Sequence, residues 1–364
     1  MFQAVELIRP HVRQMPAYQP VLPFEVRSRQ MGLPPESIVK LDANENPYGP
    51  IPAVVRALGG LRYPHIYPDP ECRELRQALA DYHHVPAENL LAGAGADELI
   101  DLIMRLFLDP GDAILDCPPT FGMYAFDAGV NDRVAVSVPR AADFSLDLEA
   151  VEKAVWAHRP KLLFLASPNN PDGGLLPSGA LERLLALPLV VVLDEAYVEF
   201  AGPNSSAIRQ VPLCENLIIL RTFSKWAGLA GLRVGYGAFP IGLMPYLWKI
   251  KQPYNVSVAA AAAALVSVQN AAALEEIGNR IVAERERLTS ALRTIPWLHP
   301  YPSQANFVLC RVVGRDAAGV KAALARAGIL VRHFSKPGLD DHIRISVGRP
   351  QESDALLARL VELE

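Results

Sequence analysis

The segment RTFSKWAGLAGLRVGYG, Arg221 to Gly237, sets Lys225 between a serine and a glycine-rich run, directly after the apolar stretch NLIIL. An amine at the mouth of a strand can anchor a carbonyl covalently, and Ser224 with Arg233 can hold an anion beside it. Other chemistry-bearing residues stand in the same situation, just past a short apolar run. GAGADE follows NLLA, PPTFGMY follows AILDC, SPNNP follows KLLFLA, and Asp194, Glu195, Ala196 and Tyr197 follow LVVVL. Glycines ahead of a helix offer free N–H groups and a positive dipole end to a phosphate. Asp194 can hold a protonated ring nitrogen, Asn170 and Tyr197 can donate to a ring oxygen, Phe121 can stack on a ring face, and Lys225 can form an imine. Together these describe pyridoxal 5'-phosphate acting as an electron sink, with the freed Lys225 amine moving a proton between the substrate Cα and the cofactor C4′.

These residues need a scaffold that brings strand ends together. LLFLA, LVVVL and LIIL are short, nearly continuous apolar runs of the kind buried on both sheet faces, and helical segments such as ADELIDLIMRLFL, LEAVEKAVWAH and SGALERLLAL lie between or beside them. The pattern predicts an α/β fold with a mostly parallel, doubly wound sheet, in which ligands bind outside the carboxyl ends of the strands. From Pro10 to Asn46 the chain is Pro-rich and aperiodic, and reads as an extended arm lying on something larger. Past Pro253 a long alanine-rich segment of high helix propensity is expected to bridge two domains, and a strand–helix mix after it suits a small α+β domain. The divisions read as 1–40 for the arm and the start of the small domain, 41–250 for a large cofactor-binding domain, and 251–364 for the C-terminal small domain.

Composition narrows the function classes. The chain has 364 residues, 51% of them hydrophobic, and a formal charge of −4 spread along its length, so it can bury a large core and offers no basic field for nucleic acid or anionic membranes. Cys72, Cys117, Cys214 and Cys310 lie far apart without metal-ligand spacing, so no metal site is expected and a reducing cytoplasm fits. The N-terminus lacks a long apolar core of the kind that signals secretion.

The segments LDANENPYGP, YPDP, GAGADELI, PPTFGMY, SPNNPDGGLL, VVVLDEAYVEF, LRTFSKWAGLAGLRVGYG, PYNVS, SQANFVL and IRISVG extend over nearly the whole chain. In combination the chain resembles the histidinol-phosphate aminotransferase family, within the fold-type-I, class I/II aminotransferases. The resemblance implies Lys225 as the imine-forming lysine, Asp194 on the pyridine nitrogen, Asn170 and Tyr197 on the ring 3′ oxygen, and Phe121 against the ring. It implies that the phosphate meets the amides of Ala96 and Asp97, Ser224, Arg233 and, from the second subunit of a homodimer, Tyr67. It also implies that Arg344 binds the α-carboxylate of the amino donor, and that Arg332 and Tyr18 meet the substrate phosphate or the distal glutamate carboxylate. Asn46 is a further substrate-binding candidate. The activity implied is ping-pong transamination between histidinol phosphate with 2-oxoglutarate and imidazole-acetol phosphate with glutamate, in histidine biosynthesis. Two departures stand out. Asp172 replaces the usual threonine after the PNNP turn, which puts a carboxylate near the pocket mouth, and Phe121 takes the place of a tyrosine.

Other readings share parts of this pattern. An aromatic amino-acid aminotransferase or a threonine-phosphate decarboxylase would use the same scaffold. A non-catalytic cofactor-binding module would not need the whole set of Lys225, Asp194, Tyr197, Asn170 and Arg233, and a nicotinamide enzyme would carry GxGxxG where this chain has GAGADE.

Overall fold

A computed structural model describes residues 3–17 and 22–363. Strands β1 (Val39–Leu41), β2 (Leu90–Gly93), β3 (Ala113–Asp116), β4 (Val134–Ser137), β5 (Leu162–Ala166) and β6 (Val190–Asp194) are followed by β7 (Leu217–Thr222), β8 (Gly235–Ala238), β9 (Leu298–Pro300), β10 (Phe307–Val312), β11 (Ile329–His333) and β12 (His342–Ser346). They form a seven-stranded sheet ordered β2-β8-β7-β6-β5-β3-β4 and a five-stranded sheet ordered β1-β11-β12-β10-β9. In the larger sheet β3 to β7 pair in parallel, while β8 runs antiparallel between β2 and β7. This is the mostly parallel, doubly wound α/β architecture that the apolar runs imply.

The side-chain period of two explains why those runs are unbroken. Leu163 and Leu165 of β5 enter one core with Leu75, Leu79 and Val151 from the helices Arg73–His83 and Leu148–His158. Their neighbours Leu162 and Phe164 enter a second core with Leu99, Ile103 and Tyr124 from the helices Ala96–Phe107 and Met123–Val130. Both faces are covered by helices, so neither face tolerates polar alternation. Register then brings the strand ends level: Ala166 sits opposite Asp194, and Asp194 opposite Leu220. The loops after β5, β6 and β7 therefore leave the sheet along one edge.

The alanine-rich segment is broken where a continuous helix was expected. It forms Val258–Gln269 and Ala271–Leu292, with axes 82° apart. Asn270 at the break donates both its backbone N–H, at 3.2 Å, and its side-chain amide, at 2.8 Å, to Val266 O, a local side-chain-to-backbone bond of the kind asparagine favours at helix ends. The second helix gives Leu274 and Ile281 to the core of the larger sheet and Leu288 and Leu292 to a separate core under the smaller one. It thus joins the two cores, as the bridging expectation required. No single helix among the described residues is long and apolar enough to cross a membrane, and the bent pair that passes by length and composition buries Ala260, Ala263, Ala264 and Leu274 inside the protein.

The arm also departs from the extended expectation. It contains the helices Pro10–Gln14 and Phe24–Met31, with prolines at the first helical position and the N-cap, where a missing N–H costs nothing. The second helix stops at Gly32 in the left-handed region (φ 66°). Met15 lies against Gly129 of the Met123–Val130 helix, so the arm rests on the larger unit.

Candidate active site

The cavity at the carboxyl edge of the larger sheet has a volume of about 140 Å³ and is lined by Ala96, Asp97, Phe121, Asn170, Asp194, Tyr197, Ser224, Lys225 and Arg233, with Ala166, Ala196, Thr222 and Ala230. Nine residues named from sequence thus meet in one place, although they come from five separate chain segments. One wall is the start of the Ala96–Phe107 helix. Gly95 precedes it with φ 85°, and a Cβ there would lie 2.6 Å from Arg233 Nη2, so only glycine lets the guanidinium approach the helix end. The first helical N–H groups, those of Ala96 and Asp97, have no partner within the helix and form an anion cradle with the Ser224 hydroxyl. Arg233 completes that wall. Its Nη2 donates to Asp97 Oδ2 at 2.8 Å and its Nη1 to Ser224 Oγ at 3.5 Å.

Asp194 occupies the floor at the end of β6. It is only 5% exposed, and burial pushes its carboxyl up to about 6. Oδ1 accepts from the Ala196 N–H at 3.0 Å and Oδ2 from the Tyr124 hydroxyl at 2.8 Å, and no cationic side chain among the described residues forms an ion pair with it. A buried carboxylate lacking a cation is the environment a protonated ring nitrogen would complete. Lys225, just past β7, also lacks a carboxylate partner among the described residues. Its Nζ donates to Ala43 O at 3.3 Å and lies 5.9 Å from the centre of the Tyr197 ring. The residues present therefore fit pyridoxal phosphate at both its ring nitrogen and its phosphate.

The smaller sheet closes the other side. Arg344 of β12 is buried, donates from Nη1 to Asn170 Oδ1 at 2.5 Å and from Nη2 to Asp42 O at 3.1 Å, and leaves Nε without a partner. Burial pushes its guanidinium down to about 10, with the positive charge of Arg332 acting in the same direction. Arg332 is its direct neighbour across β11 and β12. No carboxylate among the described residues lies within ion-pair distance of either arginine.

Other sequence-derived candidates fall elsewhere. Asn46 is buried with its amide donating to Trp226 O at 2.8 Å and its carbonyl accepting from the Tyr48 N–H at 2.9 Å, which fastens a loop and leaves it outside the cavity lining. Tyr67 is 79% exposed and stacks on Tyr254 with ring centres 4.7 Å apart. Tyr18 lies outside the described residues. Asp172 corrects the expectation of a carboxylate at the pocket mouth. It is buried, accepts from the Asn169 side-chain amide and from the Gly174 N–H at 2.8 Å, and so locks the turn from within.

Two residues that touch the site carry no strong sequence signal. Asn44 donates from Nδ2 to the Tyr197 hydroxyl at 3.1 Å and accepts from the Ser346 hydroxyl at 3.0 Å, which ties the loop after β1 to both sheets. Tyr124, the last residue of the PPTFGMY segment, meets Asp194. Glu195, next to Asp194, is fully buried and serves structure: it accepts from Arg221 Nη2 at 2.9 Å, from the Ser206 hydroxyl at 2.7 Å and from the Ala207 N–H at 2.6 Å.

A strand-end lysine, an unpaired buried carboxylate and a helix-start anion cradle at one edge of a doubly wound sheet define a fold-type-I, pyridoxal-phosphate-dependent transferase. The chain belongs to the aminotransferase class I and II family, whose model matches residues 36–360. Within that family it is 55% identical to histidinol-phosphate aminotransferase 1, chloroplastic, of Arabidopsis thaliana over 351 residues, covering 96% of this chain and 84% of that protein. It is 53% identical to histidinol-phosphate aminotransferase of Roseiflexus castenholzii over 365 residues, 98% of each. Its structure superposes on histidinol-phosphate aminotransferase from Sinorhizobium meliloti in complex with pyridoxal-5'-phosphate with a TM-score of 0.87 at 30% identity, over 98% of each chain.

Proposed function

We propose that this chain is a histidinol-phosphate aminotransferase: it takes the amino group of histidinol phosphate to give imidazole-acetol phosphate and passes it to 2-oxoglutarate to give glutamate, in histidine biosynthesis. The observation that carries the reading is the Arg332–Arg344 pair, cross-strand neighbours with no carboxylate within ion-pair distance among the described residues, of which Arg344 reaches the cavity lining through its hydrogen bond to Asn170. Each substrate of the proposed cycle is anionic away from its reacting nitrogen or carbonyl, and a planar guanidinium fork suits both carboxylate and phosphate. The names of the similar proteins support the same choice.

Pyridoxal phosphate, when bound, supplies an aldehyde for amine exchange and a ring that withdraws electrons from the substrate Cα. The Ala96 and Asp97 amides, Ser224 and Arg233 would hold its phosphate, Phe121 would cover its ring, and Asn170 with Tyr197 would donate to its ring oxygen. Asp194 would keep its ring nitrogen protonated. Lys225 would take up the proton released from the substrate Cα, which its position beside Tyr197 and its lack of an ion pair among the described residues allow. Arg344 would orient glutamate and 2-oxoglutarate through their α-carboxylate, and Arg332 with Tyr18 would meet the substrate phosphate of histidinol phosphate or the distal carboxylate of glutamate.

The enzyme is proposed to be a homodimer in which Tyr67, exposed in the single chain, reaches the partner's phosphate site. Its four cysteines are all unpaired, which suits a reducing compartment, and the cytoplasm is the proposed location.

The direct test is a half-reaction. Protein loaded with pyridoxal phosphate is given histidinol phosphate, phenylalanine or phosphothreonine separately, and conversion of the bound cofactor to its amine form is followed by absorbance. Fast conversion by histidinol phosphate at the lowest concentration supports the reading, and a preference for phenylalanine replaces it with an aromatic aminotransferase. Release of carbon dioxide from phosphothreonine replaces it with a decarboxylase.

A further inference from the structure

Tyr124 lies in the fully buried interior of the larger unit, yet it carries a hydroxyl. Its ring is packed edge-on against Phe121, with centres 5.6 Å apart at 81°, and stacked on Phe164 at 5.1 Å and 22°. A phenylalanine would fill this aromatic slot equally well and would not carry a polar atom into an apolar core, where an unpartnered hydroxyl is costly. The hydroxyl has one partner, Asp194 Oδ2, at 2.8 Å and 70 positions away in the chain. One short segment serves the site twice: Phe121 lies in the loop just before the Met123–Val130 helix and lines the cavity, while Tyr124, in the first turn of that helix with its N–H 3.4 Å from Phe121 O, is buried beside it.

The surroundings of Asp194 give that contact a purpose. Burial raises its carboxyl, and the negative charges of Asp97 on the helix Ala96–Phe107 and of Glu195 beside it act in the same direction. Against these stand the Ala196 N–H and the Tyr124 hydroxyl, while Tyr197, Lys225 and Arg233 complete the ionisable lining of the cavity. Tyr124 itself is pushed well above its ordinary value by burial and by Asp194, so it remains a protonated donor throughout the working pH range.

Resting on the proposed cofactor, we infer that Tyr124 is a positioning residue for Asp194: its hydroxyl fixes one carboxylate oxygen and favours the charged form that the ring nitrogen of pyridoxal phosphate requires. The inference separates a role exerted through one atom of the cofactor from simple core packing.

The test uses the full-length apoprotein and two probes, pyridoxal 5'-phosphate and its 1-deaza analogue, in which a carbon replaces the ring nitrogen. Binding is titrated for wild type, Tyr124→Phe and Tyr124→His, the last of which keeps an N–H donor. Tyr124→Phe is expected to lose about tenfold in affinity for pyridoxal phosphate, as removal of one hydrogen bond to a charged group predicts, with affinity for the deaza ring unchanged. Tyr124→His is expected to retain part of the preference for the nitrogen-containing ring. Equal losses for both probes would show packing alone and overturn the proposal, as would unchanged binding of both or identical behaviour of the two variants. A wild-type apoprotein that binds neither probe overturns the cofactor reading, and this proposal with it.

Discussion

Arg332 and Arg344 are direct cross-strand partners on β11 and β12, and their guanidinium carbons lie 5.7 and 5.6 Å from the centre of the same Phe334 ring. Two like charges placed side by side, with no carboxylate in ion-pair distance among the described residues, are destabilising in the free protein, and an anionic ligand relieves them. Because Arg344 alone is buried and bound to Asn170, it is the one whose charge the protein has already desolvated.

Replacing Arg344 with alanine is therefore expected to weaken substrate far more than cofactor. The loss of a charge-assisted fork corresponds to roughly 2–3 kcal/mol, or a rise in KM of about 30- to 150-fold. Steady-state kinetics beside a cofactor titration checks this; a matching loss of cofactor affinity would place Arg344 in the scaffold instead.

Lys225→Ala should abolish turnover, with kcat down by at least about 1,000-fold, while melting temperature stays within a few degrees of wild type. Among the described residues the lysine makes no ion pair and is held by a 3.3 Å hydrogen bond to Ala43 O and a contact 5.9 Å from the Tyr197 ring centre, so little structure depends on it. Residual transamination near the wild-type rate would remove the lysine from its proposed role.

His83 gives a pH prediction of definite sign. It is buried with Nε2 2.7 Å from the Tyr236 hydroxyl, and burial pushes its imidazole down to about 2, well below the ordinary 6.5, with Arg221 and Arg209 acting in the same direction. Below pH 6.5 the unfolded chain therefore binds a proton at this site that the folded chain refuses, and stability falls as the pH drops. One refused proton contributes a slope of about 1.4 kcal/mol per pH unit. His83→Gln should flatten the acid limb of a denaturation series between pH 6 and 4 by about that amount, and an unchanged limb would contradict the buried neutral imidazole.

Asp172→Thr restores the residue expected after the PNNP turn. Since the carboxylate secures Asn169 and the Gly174 N–H inside the turn, the variant should lose roughly 1–2 kcal/mol of stability, read by chemical denaturation. Its ranking of amino donors should not change, because Asp172 does not line the cavity. An altered ranking would return this residue to the pocket mouth.

Much of the fold and cofactor site was legible in the chain. LLFLA, LVVVL and LIIL have the form of strands covered on both faces, and in a parallel sheet the residues after such strands share one edge. Asn170, Asp194, Tyr197, Ser224 and Lys225 thus meet wherever the helices pack. The glycines before Ala96 marked the anion cradle for the same local reason.

What the sequence did not contain is the choice of partners between distant elements. Tyr124 and Asp194 are 70 positions apart, Asn44 and Tyr197 153, and the neighbouring of Arg332 with Arg344 depends on strand register. Asn46 resembles a ligand in sequence and is spent on Trp226 O, while Asp172 turns inward and the alanine-rich helix breaks at Asn270. Apolar periodicity is a local property of a few consecutive residues, so it can be read along the chain. Satisfying a buried polar group requires whichever donor or acceptor the packed elements bring within about 3 Å, and only the tertiary structure decides which one that is.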